Sequence, residues 1–244
     1  MMKLGASGSQ MSSVARILTA EIAANFQRLV QPSTIAIYAS HGSRPDTPVQ
    51  VGTGFLIKHQ SRPVLITAKH VLRGHAFNDD PAEKAVHING RWVYVGDGAR
   101  TLVEPMGRDL SVMFMDEFSL DRCLDAPTSV SLGSAIITMG GYLCRDFKRS
   151  GNTLRPAPRV YTNVAAPAAP GMIGLRHPKR RNVNTSTGVS AVSPTPRGLS
   201  GGPMVDSLAL LKGAVVLSGV LTEMSNGSAR GEDVGIITQA IAAL

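Results

Sequence analysis

An all-β fold built as barrels or a sandwich is what this sequence predicts, on three observations. Short runs rich in branched and aromatic residues recur along the chain at 34–38, 51–57, 63–67, 86–88, 91–95, 110–115, 135–139, 159–164, 189–192, 203–205, 214–223 and 234–237, and runs of this length and composition read as strands. Gly, Pro, Asn and Asp separate them, and 25 Gly with 15 Pro in 244 residues suit tight turns better than a helical bundle. Hydrophobic residues make up 43% and charged residues 17%, enough apolar surface to bury a sizeable core.

Helix is expected only at the two ends. Over 12–30 the apolar positions Val14, Ile17, Leu18, Ile22, Phe26, Leu29 and Val30 recur at three- and four-residue intervals, the signature of an amphipathic helix. Its apolar face needs a partner, and packing on its own domain is favoured over docking to another protein or a membrane, because few positive charges accompany it. Residues 239–244 read as a short terminal helix. The stretch 165–184, rich in Ala, Pro, Arg and Asn, reads as a long surface loop.

The formal charge of +8 favours acidic partners in general. The densest basic run, His177-Pro178-Lys179-Arg180-Arg181, lacks interleaved aromatic residues and reads first as a solvated loop, which leaves nucleic acid as a runner-up partner only. Cys123 and Cys144 are too few and too far apart for a disulfide framework or a structural zinc site. Histidines at 59, 70, 75 and 87 follow no metal-binding spacing, and neither a metal nor an organic cofactor is implied. No run is long enough to span a bilayer, no secretory signal is seen, and a soluble, cytoplasmic chain is the expectation.

Three separated segments carry residues suited to nucleophilic catalysis. In Arg197-Gly198-Leu199-Ser200-Gly201-Gly202-Pro203 small residues let the backbone turn sharply, expose a hydroxyl and aim amide hydrogens into one space. Ser200 is the candidate nucleophile there, with the backbone N–H groups of Gly198 and Ser200 as oxyanion donors. Taken alone, the segment also has a less favoured reading as an ordinary Gly/Pro turn between two strands. In Leu65-Ile66-Thr67-Ala68-Lys69-His70-Val71-Leu72 a histidine follows an apolar strand, where an imidazole can face a cleft as general base. Asp109, in Gly107-Arg108-Asp109-Leu110-Ser111-Val112-Met113, stands at the entry to an apolar strand and would need a partner such as an imidazole N–H if buried. Asp116, Asp121 and Asp125 compete with it, but polar or turn-like residues follow all three.

The ordered set Thr67-Ala68-x-His70-Val71, Asp109-Leu110-Ser111-Val112 and Gly198-x-Ser200-Gly201-Gly202-Pro203 resembles the trypsin-like (chymotrypsin-fold) serine protease family, in its bacterial or viral, disulfide-poor branch. The likeness extends to Gly52-Thr53-Gly54-Phe55-Leu56-Ile57 before the histidine and to Gly140-Gly141-Tyr142. It implies two six-stranded antiparallel β-barrels, over 34–125 with His70 and Asp109 and over 126–244 with Ser200, behind a helical extension at 1–33. It implies a serine endopeptidase acting on peptide or protein substrates through an acyl-enzyme on Ser200, with His70 as base and Asp109 orienting it. By the same resemblance Thr222, Glu223 and Met224 lie on the strand that pairs with an extended substrate, Gly235 forms a wall of the primary specificity pocket, and Pro194 and Thr195 fall at its base. Neither of the last two is acidic, which points to a small or apolar side chain in that pocket.

Two features depart from the secreted members. Leu199 stands where their zymogens carry an acidic residue, and the cysteines that flank their histidine and serine are missing, as suits a reducing compartment. Two other functions stay open on the sequence: a catalytically silent protease-fold protein acting as a peptide-binding or scaffold module, and a nucleic-acid binder using the Lys179–Arg181 cluster, which no RNA- or DNA-binding motif backs. A regulatory protein docked on the N-terminal helix is an added partner to consider.

Overall fold

The structure, a computed structural model, describes residues 13–41, 44–74, 83–88, 91–95, 101–127, 134–144, 148–150, 153–156, 158–177, 182–183, 190–191, 197–225 and 227–244. The chain begins with α1 (Ser13–Leu29) and then forms two β units. The first contains β1 (Thr34–His41), β2 (Arg44–His59), β3 (Arg62–Thr67), α2 (Lys69–Arg73), β4 (Lys84–Ile88), β5 (Arg91–Tyr94), β6 (Leu102–Val103), β7 (Ser111–Phe114) and β8 (Leu124–Asp125). The second contains β9 (Ile136–Tyr142), the hairpin β10 (Lys148–Ser150) with β11 (Thr153–Arg155), β12 (Pro158–Ala166), β13 (Met172–His177), the pair β14 (Asn182–Val183) and β15 (Ser190–Ala191), β16 (Pro203–Asp206), α3 (Ser207–Leu211), β17 (Leu217–Met224), β18 (Gly227–Asp233) and α4 (Val234–Ala242).

The second unit closes into the expected six-stranded antiparallel barrel, β12-β13-β18-β17-β16-β9. The first departs from a six-stranded ring: among the described residues its eight strands form a half-barrel sheet ordered β5-β4-β1-β2-β3-β7-β6, with β8 running parallel to β2. Residues 55–57 of β2, 64–66 of β3 and 112–113 of β7 are apolar without a break because both of their faces are buried. Leu56, Leu65 and Met113 point into the first unit's own core. Phe55, Ile57, Val64, Ile66 and Val112 point the other way, into an apolar layer shared with Val205, Val220, Val234, Ile237 and Ile241 of the second unit. The barrel has the same alternation, with Met204 and Leu221 turned inwards and Val205 and Val220 turned to the shared layer.

The amphipathic helix at the N-terminus packs on its own domain. Ile22, Phe26 and Val30 join the shared layer as α1 rests on β9, β12 and α3, and the Phe26 ring fills the space where Gly140 lacks a side chain. Ile17 and Leu18 face outwards.

Two sequence expectations are corrected, and one strand that the residue pattern did not show is added. Residues 234–237 are the first turn of α4 and not a strand. The Asp233 carboxylate accepts the Ile236 N–H at 3.0 Å and caps the helix, so Val234, Ile237, Ala240 and Ile241 present one apolar stripe to the shared layer. The stretch 165–184 contains β13, whose Ile173 and Leu175 face the barrel interior, their periodicity hidden by Gly174 and Arg176. The polar segment 227–233 is strand β18, paired on both sides through its backbone. No helix among the described residues is long and apolar enough to cross a membrane.

Phe26→Ala is expected to destabilise the whole protein by about 3–5 kcal/mol, as for other buried Phe truncations. Ile17→Ala is expected to stay within about 0.5 kcal/mol. Urea unfolding of both variants checks whether α1 is part of the folded body.

Candidate functional site

His70 lies in the first turn of α2, just after Ala68 leaves the end of β3 in extended backbone. Asp109 lies two residues before β7, the neighbour of β3, so strand pairing alone brings the two side chains together. Both Asp109 oxygens are used: Oδ1 accepts the His70 backbone N–H at 2.9 Å, and Oδ2 lies 2.7 Å from His70 Nδ1. The competing acids are elsewhere. Asp116 pairs with Arg62 at an exposed position, and Asp121 and Asp125 are exposed.

Glu104 holds the outer side of α2. Its carboxylate receives Arg73 Nε at 3.1 Å and the Ser111 hydroxyl at 2.9 Å, and Lys69 Nζ stands 3.6 Å away. Residues 69 and 73 bracket His70, so these contacts limit rotation of its helix.

Ser200 comes from the second unit, on the turn entering β16. Gly198 has φ +98° and Gly201 φ +87°, backbone that other residues reach only with strain. Space also demands glycine. A Cβ on Gly198 would lie 2.6 Å from the Tyr142 carbonyl, and one on Gly201 would lie 1.9 Å from the Thr53 carbonyl and 2.3 Å from the Thr67 hydroxyl. The Ser200 turn is therefore pressed onto Thr53 within β2 and onto Thr67 at the end of β3, three residues before His70 in the chain.

Thr53 clamps it there, a role the sequence reading did not give it. Its backbone N–H donates to the Ser200 carbonyl at 2.8 Å, and its hydroxyl donates to the Gly198 carbonyl at 2.6 Å while accepting the Tyr142 N–H at 3.0 Å. The Thr67 hydroxyl in turn donates to the Thr53 carbonyl at 2.7 Å. From the other side Cys144 donates its backbone N–H to the Arg197 carbonyl, and burial raises its thiol pKa.

The Ser200 hydroxyl donates to the Thr222 carbonyl at 3.1 Å. Thr222 is the extra residue of a bulge, because Leu221 pairs with Gly231 and Glu223 already with Arg230. Its own hydroxyl turns back to the Arg230 carbonyl at 3.3 Å, Glu223 is exposed, and Met224 packs against the barrel core. Pro194, Thr195, His75 and the basic run 178–181 lie outside the described residues.

Gly235 is not a pocket wall beside this strand. It sits in α4, beyond Asp233, which pairs with Gly219 at the opposite end of β17. The neighbours of Met224 and Glu223 are Ala229 and Arg230. At the same end of the barrel His177 pairs with Gly227, and its ring meets Tyr161 edge-on at 5.5 Å. Burial lowers its pKa below the ordinary 6.5. Among the described residues no three His, Cys, Asp or Glu side chains group to hold a metal.

No protein-family model matches the chain, and no curated protein matches it. Solved structures do. A point mutant of the tobacco etch virus protease aligns at 12% identity and TM-score 0.52, over 86% of this chain and 79% of that one. The serine protease of a human pathogenic astrovirus aligns at 13% and 0.48, over 83% and 89%, and tobacco vein mottling virus protease at 12% and 0.48, over 83% and 76%. With the tobacco etch virus structure as the match that carries weight, the chain has the chymotrypsin-like fold.

His177 gives the barrel's stability a pH signature. The folded state keeps the ring neutral while the unfolded chain protonates near 6.5, so its contribution is complete above 6.5 and is lost as pH falls towards the lowered folded value. His177→Phe, which keeps a ring against Tyr161, is expected to lose less stability than the unmutated protein between pH 7 and pH 5. Urea unfolding across that interval checks it, and equal pH slopes would contradict it.

Proposed function

We propose that this protein is a trypsin-like serine endopeptidase, with Ser200 as nucleophile, His70 as general base and Asp109 orienting the base. The observation that carries the reading is the double contact of Asp109 with His70, on Nδ1 and on the backbone N–H. It fixes the imidazole with Nδ1 towards the carboxylate, leaving Nε2 as the proton acceptor. The Gly198–Gly201 turn, packed against Thr67 at the end of β3, supplies the hydroxyl.

In the reaction the Ser200 hydroxyl leaves the Thr222 carbonyl and gives its proton to His70 Nε2 as Oγ bonds to the scissile carbonyl carbon. The backbone N–H groups of Gly198 and Ser200 receive the oxyanion. Collapse breaks the C–N bond, and His70 passes the proton to the departing amine. Water, activated by His70, then releases the acyl group from Ser200. Asp109 stabilises the imidazolium throughout without taking its proton. Thr222 to Met224 offer a strand to an extended peptide, with Ala229 and Arg230 behind it in place of Gly235. Pro194 and Thr195 remain the proposed base of the primary pocket.

The alternative is a catalytically silent module that binds peptides. The resting bond from the Ser200 hydroxyl to the Thr222 carbonyl favours it, since that hydroxyl is engaged elsewhere than in nucleophilic attack.

A fluorophosphonate probe on the intact protein separates the two. The proposal expects one adduct, on Ser200, with none on Ser200→Ala and a rate lowered on the order of a thousandfold or more in His70→Ala. A folded protein that takes no adduct would favour the silent module.

A further inference from the structure

Asp109 is held from behind by a residue of the other unit. Glu232, on β18 of the barrel, is 4% exposed at its side chain, and its Oε1 accepts the Asp109 backbone N–H at 3.0 Å. Its Oε2 lies 3.4 Å from Arg108 Nη1, which is also 3.4 Å from the Pro170 carbonyl. The Arg108 head lies over Gly171, where a Cβ would come within 2.7 Å of Nη2. The barrel thus presents a socket for the dipeptide Arg108-Asp109: a carboxylate for one backbone N–H, and a glycine that leaves room for the guanidinium.

We propose that Glu232 is a positioning residue that sets Asp109, and through it His70, when the two units dock. A carboxylate buried to this degree carries a desolvation cost that an apolar side chain would avoid, and burial does raise its pKa. What the carboxylate provides in return is the bond to Asp109. Both side-chain oxygens of Asp109 are committed to His70, so its backbone is the remaining handle by which neighbouring structure can aim it. Glu104 steadies α2 from within the first unit, whereas Glu232 couples the His70–Asp109 pair to the barrel that supplies Ser200. A small misplacement of the pair relative to Ser200 would be felt as a large loss of rate. The proposal rests on reading His70, Asp109 and Ser200 as one catalytic unit.

The test compares Glu232→Leu with Glu232→Gln in the full chain, by fluorophosphonate labelling rate and by the low-field proton resonance of His70 Nδ1–H. Leucine leaves the Asp109 N–H without its acceptor. It is expected to slow labelling roughly 10- to 100-fold and to displace or abolish the resonance. Glutamine keeps an oxygen at that position and is expected to restore most of both. Should the leucine variant not fold, Glu232→Asp, which withdraws the oxygen by one methylene, takes its place with the same expected order relative to glutamine. Labelling within twofold of the unmutated protein together with an unmoved resonance in the leucine or aspartate variant would overturn the proposal. So would a glutamine variant as impaired as leucine. If the unmutated protein takes no probe, the protease reading fails, and the His70 resonance, which needs no nucleophile, still decides the role of Glu232.

Discussion

The closeness of the Ser200 turn to Thr53 of β2 is the constraint on which the rest of the structure depends. Gly201 meets the Thr53 carbonyl so tightly that a single methyl group would part them, and the Thr53 N–H and hydroxyl bind the carbonyls of Ser200 and Gly198. A hydroxyl from one unit can stand beside an imidazole from the other only if this seam is shut. The shared apolar layer shuts it: Phe55, Ile57 and Ile66 from the sheet, Val205 and Val220 from the barrel, Phe26 from α1 and Ile237 from α4 all converge there. Hydrophobic burial supplies the attraction, and the Thr53 bonds fix the register.

Helices at both ends of the chain feed that same layer. The N-terminal helix serves the junction by burying Ile22, Phe26 and Val30, and α4 serves it from the opposite end of the chain. Stability and site assembly are consequently two aspects of one packing arrangement.

Much of this was legible in the sequence. The apolar runs around Phe55, Leu65 and Val112 announced their strands, and the His70, Asp109 and Ser200 segments stood out because each sets a reactive side chain among small or apolar neighbours. The illegible parts share a cause. In β18 the backbone does the packing: a Cβ on Gly231 would lie 2.2 Å from the Val220 carbonyl, so glycines and polar residues occupy a central strand that side-chain periodicity cannot reveal. Glu232 was invisible for the same reason, since a carboxylate in a polar heptapeptide reads as solvated until the facing Asp109 N–H is in view. Residues 234–237 misled in the opposite sense, because four branched or small residues fit a strand as well as a helix, and the capping bond from Asp233 decides between them.

Turnover of peptide bonds tests the central claim most directly. Incubation with a proteome-derived peptide library, read by mass spectrometry beside Ser200→Ala, is predicted to give new termini sharing a common residue type at the cleavage site, all absent in the variant. A folded protein yielding no new termini, or the same termini from Ser200→Ala, would contradict the account.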